Sequence, residues 1–160
     1  DRIRSKADVP DEAFIAMERY PDDLTYRLVG AACETLNLTA EEVLESFGVY
    51  WVGFADESYG EFLRSAGSTF SEFIGNLDQM HARVKLSFPE LDPPSFKITD
   101  ESPGRMRLHY YSSREGLAPL AVGVLRGVAN RFNVEIQIKH FVDESTDPPH
   151  VVFDLEYGES

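Results

Sequence analysis

The chain is poor in cysteine, in positive charge and in long apolar runs, and each shortage removes a class of protein. A single cysteine, Cys33, excludes an internal disulfide. It falls in a helical pattern beside Ala31 and Ala32, which reads as a small buried side chain rather than a reactive thiol. Only 15 Lys and Arg stand against 28 Asp and Glu, a formal charge of −13. Phosphate backbones and anionic membrane surfaces are repelled by such a chain, so no nucleic-acid or membrane partner is expected. No apolar stretch is long enough to span a bilayer and no signal peptide precedes the domain, which makes a cytoplasmic protein the expectation. Neither His140 nor His150 is spaced with another His, Cys or carboxylate as a zinc site would be. Asp1 stands where a methionine would open a chain, which reads as the loss of something upstream.

What is present suits one domain with a substantial core: 160 residues, 42% of them hydrophobic, with no internal repeat and no linker. Residues 1–20 are charged, with a weak pattern of Asp11, Glu12, Phe14, Ile15 and Met17 ending at Tyr20-Pro21. Pro21, Asp22 and Asp23 then open a helix to about Leu38, with Leu24, Leu28, Ala31 and Ala32 inward and the acids at its positive end. Thr39 and Glu42 form a capping box for the next helix, through Leu44, Phe47, Trp51 and Phe54. The aromatic cluster of Phe47, Tyr50 and Trp51 reads as core by default, with a flat ligand as the alternative. Ser58 and Glu61 predict a shorter helix ending at Gly67, and Thr69 with Glu72 predicts one more, to about Val84.

The period changes from 3.6 to two after the proline-rich stretch at 87–96. Met106, Leu108, Tyr110 and Ser112 share one strand face; Arg105, Arg107, His109 and Tyr111 share the other. Leu117 to Val128 reads as a helix. Val134, Ile136 and Ile138, then Val151, Phe153 and Leu155, mark two further strands joined by a polar hairpin at 143–149. His140 is placed at a strand end and His150 in a loop. Helices first, then about four antiparallel strands with one helix inserted, is an α+β arrangement.

Two constellations carry chemistry. Phe73, Leu77, His81 and Val84 fall on one helical face, which puts an imidazole on an apolar side where both ring nitrogens need partners. A core histidine satisfied by a carbonyl and an axial ligand to haem iron both fit that spacing. Tyr110, Ser112 and Arg114 converge a phenol, a hydroxyl and a guanidinium at one strand end, suited to carboxylate or phosphate oxygens, unless Arg114 is simply paired with an acid of its own chain. His109 faces away from Ser112, which excludes a nucleophile–base couple.

Leu77-Asp78-x-x-His81-x-x-Val84, Pro93-Pro94-Ser95-Phe96 and His109-Tyr110-Tyr111-Ser112-Ser113-Arg114-Glu115-Gly116-Leu117 together resemble the H-NOX family of haem nitric oxide/oxygen binding domains. Cyanobacterial stand-alone members and the haem-bearing beta subunit of soluble guanylate cyclase belong to it. The resemblance runs from about Tyr20 to the end. It implies a helical distal part, followed by a proximal part of helices and a roughly four-stranded sheet. It also implies one domain over 1–160 that lacks the family's N-terminal Met-Tyr-Gly segment and its helices.

By motif, the resemblance implies non-covalent haem b, there being no Cys-x-x-Cys-His for attachment. His81 becomes the axial iron ligand, Tyr110, Ser112 and Arg114 the clamp on the propionates, and Pro94 the residue that distorts the porphyrin. Trp51 and Leu120 are candidates for the distal wall. Pro119 stands where oxygen-binding members carry a tyrosine and offers no hydrogen-bond donor. The implied function is therefore a sensor of nitric oxide and carbon monoxide, not an enzyme. It would signal through weakening of the iron–His81 bond and haem relaxation to a histidine kinase, diguanylate cyclase or guanylate cyclase. A haem-free interaction module and a haem enzyme are the competing classes; the latter needs a distal acid–base residue that neither the Trp51 nor the Leu120 segment provides.

Overall fold

A computed structural model describes residues 2–10 and 14–158. Five helices come first: α1 (Arg2–Lys6), α2 (Asp22–Leu36), α3 (Ala40–Arg64), α4 (Phe70–Gly75) and α5 (Leu77–Ser87). Then come β1 (Ser95–Ser102), β2 (Arg105–Tyr111), α6 (Ala118–Arg131), β3 (Glu135–Asp143) and β4 (His150–Gly158). This is the α+β order expected from the periods. Asp1, Asp11 and Glu12 lie outside the described residues. No described helix is long and apolar enough to cross a membrane.

Local chemistry explains most boundaries. α2 starts after Pro21 with Asp22 and Asp23 in its first turn, and stops at Asn37, whose left-handed φ of 56° lets its N–H reach Cys33 O. The capping box at Thr39 is reciprocal: Glu42 N donates to Thr39 Oγ1 at 3.2 Å, and Thr39 N donates to Glu42 Oε2 at 2.8 Å. Those bonds hold the Glu42 carboxyl below its ordinary pKa.

Two helix boundaries differ from expectation. Ser58 starts no new helix; α3 continues to Arg64 with a kink at Tyr59 (φ −134°, ψ 27°). The helix expected from Thr69 to Val84 is two, broken at Asn76 (φ −100°, ψ 5°), whose amide donates to Ala66 O at 2.7 Å. At Thr69 the box is only half made. Glu72 N donates to Thr69 Oγ1, but the Glu72 carboxylate accepts from Ser68 N and Oγ instead. Phe73 and Leu77 therefore sit on different helices, though both are buried.

The sheet has the order β1-β2-β4-β3, antiparallel throughout. Leu108 pairs with Phe153 and Met106 with Leu155, which aligns the apolar faces of β2 and β4. That face shares one core with Phe70, Phe73 and Ile74 of α4 and Leu125 and Val128 of α6. Phe70 and Phe153 are wholly buried, and burying one such side chain stabilises by about 2–3 kcal/mol. A smaller cluster of Ala7, Val9 and Ala31 joins α1 to α2, with Leu24 and Leu28 against it.

α3 and α6 cross at glycines. A Cβ on Gly123 would lie 2.0 Å from Glu45 O, and one on Gly48 would lie 2.4 Å from Leu120 O. Because α3 presents Gly48, Val52 and Ala55 inward, its opposite face is left open. Phe47, Tyr50, Trp51 and Phe54 are consequently exposed, as a row of rings in contact along one helix face, not as the core cluster expected. The two later histidines also differ from expectation. β3 runs on to Asp143, so His140 is mid-strand with its ring 5.8 Å from Phe153. β4 opens on His150 itself, which is 7% exposed and hydrogen-bonded rather than in a loop.

Candidate functional site

The end of β2, the start of α2, the 91–94 segment and the first turn of α6 enclose a cleft of about 410 Å³. Pro94, Tyr110, Ser112, Arg114 and Leu120 all line it, with Tyr20, Asp22, Thr25 and Leu117. A larger groove of about 890 Å³ lies elsewhere, along Arg105, Arg126 and Tyr157. Its cations are already bonded to Glu156 and Glu45.

β2 delivers Tyr110 because its parity matches Met106 and Leu108. The ring packs on Phe96 and Phe153 at 5.5 and 6.0 Å, and the hydroxyl has no hydrogen-bond partner among the described residues. Ser112 lies just past the strand end, where its Oγ accepts from Arg114 N at 3.1 Å and keeps its own O–H free. Arg114 turns toward α2: Nη2 donates to Thr25 Oγ1 at 2.9 Å, and Nε lies 2.8 Å from Asp22 Oδ1. That ion pair is not aligned as a hydrogen bond, which leaves Nε shut from solvent without an acceptor. Thus the ordinary alternative, an arginine paired within its own chain, holds for part of the guanidinium, while Nη1 stays uncommitted. Nearby, Tyr26 Oη donates to Glu115 O at 2.8 Å and Ser113 Oγ to Asp92 at 2.6 Å, fixing the turn that carries Arg114.

His81 stands on α5, half-buried behind Pro94. Its Nδ1 is 3.0 Å from Pro94 O. A carbonyl only accepts, so Nδ1 carries the proton and Nε2 keeps its lone pair. Burial pushes the His81 pKa below its ordinary value, against the opposing pull of the Pro94 carbonyl and Asp78. The ring is therefore neutral at pH 7. One turn earlier on the same helix, the Asp78 carboxylate accepts from Phe96 N at 2.6 Å and Ser95 Oγ at 3.0 Å. Three consecutive residues, Pro94 to Phe96, are thereby gripped by α5 in two places.

Of the candidates, Pro94, Tyr110, Ser112, Arg114 and Leu120 share the cleft, and His81 joins it through the Pro94 carbonyl. Trp51 does not line it; it stands on the exposed face of α3. Pro119 is in the first turn of α6, where a missing N–H costs nothing. The sequence reading missed Asp22 and Thr25 as partners of Arg114, because no spacing links residues so far apart. Asp78 stood inside a recognised motif, but its strand partners carry no sequence signal. Among the described residues there is no cluster of three or more His, Cys, Asp or Glu able to hold a bare metal ion.

A model of the haem-NO-binding family matches residues 1–140. The chain is 38% identical over 120 residues to guanylate cyclase soluble subunit beta-2 of Rattus norvegicus, covering 71% of this chain and 18% of that protein. It is 34% identical over 139 residues to soluble guanylate cyclase gcy-35 of Caenorhabditis elegans, covering 84% and 20%. The chain thus spans about a fifth of the length of these curated relatives. Among solved structures, the S. oneidensis H-NOX protein in its Fe(II)NO state matches with a TM-score of 0.84 at 21% identity, over 98% of this chain and 86% of that one. The unliganded Fe(II) H-NOX protein from K. algicida matches with a TM-score of 0.82 at 14% identity, over 99% and 87%. At such identities the structures establish the fold, while the family model and the cyclase relatives establish descent: this chain belongs to the haem-NO-binding, or H-NOX, family.

Proposed function

We propose that this chain binds haem b non-covalently through His81 Nε2 and serves as the nitric oxide and carbon monoxide sensing part of a signalling system. One observation carries the reading: His81 is neutral and spends only Nδ1 on its own chain, which is how an iron-ligating imidazole is oriented by a second partner. In a haem-free interaction module the same Nε2 would face water, so haem uptake separates the two readings. The free Tyr110 and Ser112 hydroxyls and the uncommitted Arg114 Nη1 suit a pair of propionates in the same cleft.

When bound, haem supplies a ferrous iron that takes small diatomic gases. The chain's residues do the rest. Tyr110, Ser112 and Arg114 would hold the propionate carboxylates, and Pro94 and Leu120, which line the same cleft, would bear on the ring and close the gas side. With Pro119 at the start of α6, no hydroxyl there donates to a bound gas. Dioxygen, which develops negative charge, loses more by that than nitric oxide or carbon monoxide. A displacement of His81 would pass to Pro94 through the 3.0 Å bond, and α5 would carry it to Ser95 and Phe96 through Asp78. A surface of α5 and β1 that differed between two states is what a histidine kinase, diguanylate cyclase or guanylate cyclase partner in the cytoplasm would read. The chain itself senses and does not catalyse.

The test is an absorption spectrum of the haem-reconstituted, reduced protein, alone, in air and with nitric oxide, repeated for His81→Gly. A haem band that shifts with nitric oxide, ignores air and is altered in the variant is expected. A stable complex in air removes the gas selectivity, and no band at all removes the haem.

A further inference from the structure

The outer face of the sheet carries a second polar constellation, on the opposite parity of β2 from the cleft. His109 Nδ1 and His150 Nε2 are 2.7 Å apart, a direct imidazole–imidazole hydrogen bond. The outer nitrogen of each ring is also taken: His109 Nε2 by Thr99 Oγ1 and His150 Nδ1 by Thr146 Oγ1, both at 2.9 Å. Thr146 donates its hydroxyl proton to Pro148 O at 3.0 Å. That last bond fixes every proton behind it. Thr146 Oγ1 must accept from His150 Nδ1–H, so His150 Nε2 accepts from His109 Nδ1–H, and His109 Nε2 accepts from the Thr99 hydroxyl. With both rings neutral, one unbroken chain of donors runs from β1 through β2 and β4 into the 143–149 hairpin.

We propose that His109 and His150 form a proton-operated latch that holds the β3–β4 hairpin against β1 and β2 when the pair carries at most one added proton, and releases it when both rings are protonated. A first proton is tolerated, because the Thr99 hydroxyl turns to accept from His109 Nε2–H. A second one is not. It sets two N–H groups and two positive charges against each other across 2.7 Å. Stacking keeps the rings from sliding past one another: Tyr111 covers His150 at 4.6 Å with only 21° between planes, and His150 is 7% exposed. The charged groups around the pair come from all four strands. Lys97 (β1) and Arg107 (β2) oppose protonation of His109, while Asp143 (β3) favours it; Asp154 (β4) is the fourth. Burial, the facing His150 and Arg107 together lower the His109 pKa.

The sign follows from linkage. A base whose closed-state pKa is depressed gives stability that is complete above the open-state pKa, about 6.5 for histidine, and is lost as pH falls below it. Across 2.7 Å the closed pair has no room for a second bridging N–H, whereas an open hairpin imposes no such limit. At pH 5.5 full exclusion of that proton favours opening roughly tenfold over pH 7.5. The measurement is hydrogen exchange of the backbone amides of residues 144–147, 150 and 151, corrected for intrinsic rates, at both pH values, with the 105–108 amides of β2 as internal control. Acid is expected to raise hairpin opening about tenfold and leave the control unchanged. In His150→Gln, whose side-chain oxygen still accepts from His109 Nδ1–H but does not titrate, the acid effect should disappear. If that variant fails to fold, His109→Asn serves the same purpose. Equal opening at both pH values in the unaltered chain overturns the proposal, as does an undiminished acid effect in a folded variant.

Discussion

Gly123→Ala is the substitution whose outcome the structure constrains most tightly. Helix propensity alone predicts a gain, since alanine is worth about 1 kcal/mol over glycine in a helix interior. Packing predicts the reverse. The new methyl would sit 2.0 Å from Glu45 O, with Glu45 C and Cα at 2.8 and 2.9 Å, so relief requires the oxygen to retreat by about 1 Å. All three atoms are backbone, which means α3 itself must move away from α6. A gap of 0.5–1 Å forfeits roughly a quarter to a half of each dispersion contact across the interface, and overpacking of this kind costs about 1–3 kcal/mol or more. A backbone clash this close puts the cost in the upper half of that range, so with the propensity gain subtracted the net loss is about 1–2 kcal/mol. For a chain of this size that lowers Tm by roughly 2–8 °C.

The matched control is Gly53→Ala on α3, where an added Cβ meets nothing within 4 Å. There the propensity term acts alone and Tm should rise by about 2–3 °C. Both variants are to be melted by circular dichroism in the same ligation state. Opposite signs are the signature of the argument. A Gly123→Ala protein as stable as the unaltered chain would refute it, because the crossing would then have slack that the geometry denies. Since α6 also carries Leu117 and Leu120 into the cleft, the same variant should bind haem more weakly.

Asp78→Ala removes the acceptor for Phe96 N and Ser95 Oγ; a loss of about 1–3 kcal/mol is expected in urea unfolding, and a cost near zero would mean that water replaces the carboxylate. Thr39→Ala should cost about 1 kcal/mol by the same assay, since it removes the Oγ1 that accepts from Glu42 N at the start of α3 and leaves only the bond from the residue 39 N–H to the Glu42 carboxylate. Arg114→Ala should speed the loss of haem to an apo-globin scavenger several-fold while leaving Tm of the haem-free chain nearly unchanged; an unaltered loss rate would remove Arg114 from the clamp. Bonds from Arg107 hold the Asp154 carboxyl below its ordinary pKa, so its contribution is present above about pH 4 and fades as pH falls below it. Arg107→Gln should therefore flatten the pH dependence of stability in that acid range, read by urea midpoints from pH 5 to pH 3.

The sequence displayed most of the fold because most of it rests on local rules. The reciprocal Thr39–Glu42 box, the acids opening α2 and the alternation of β2 and β4 are each written within a few residues. The errors fall where a non-local contact overrules a local one. Asn76 breaks the expected helix because its amide reaches back to Ala66 O, and Phe47, Tyr50 and Trp51 are exposed because glycines commit the other side of α3 to α6. His150 was misread for the same reason: beside two prolines it looks like a loop residue, and only pairing with β2 brings it to His109. At the cleft, Tyr110, Ser112 and Arg114 were legible from spacing, whereas Asp22 and Thr25, their neighbours from α2, were not.

β2 explains why two devices coexist so close together. Its period of two sends Tyr110 to the cleft and His109 and Tyr111 to the opposite face, within one strand segment. Pro94, which ties to His81, immediately precedes Ser95, and Ser95 pairs with Tyr111, the ring that covers His150. A rigid sheet keeps the two faces independent; a loosened β2 end does not. If opening the latch frays that end, haem retention should fall with acid in the unaltered chain and less so in His150→Gln. If the Phe153–Leu108 core holds β2 in place, haem loss should follow the same pH course in both proteins while only hairpin exchange differs. Measuring both quantities on the same samples separates a local latch from one that also regulates the site. The wholly buried Leu108 and Phe153, which pair across β2 and β4 one residue from His109 and two from Tyr110, favour the local one.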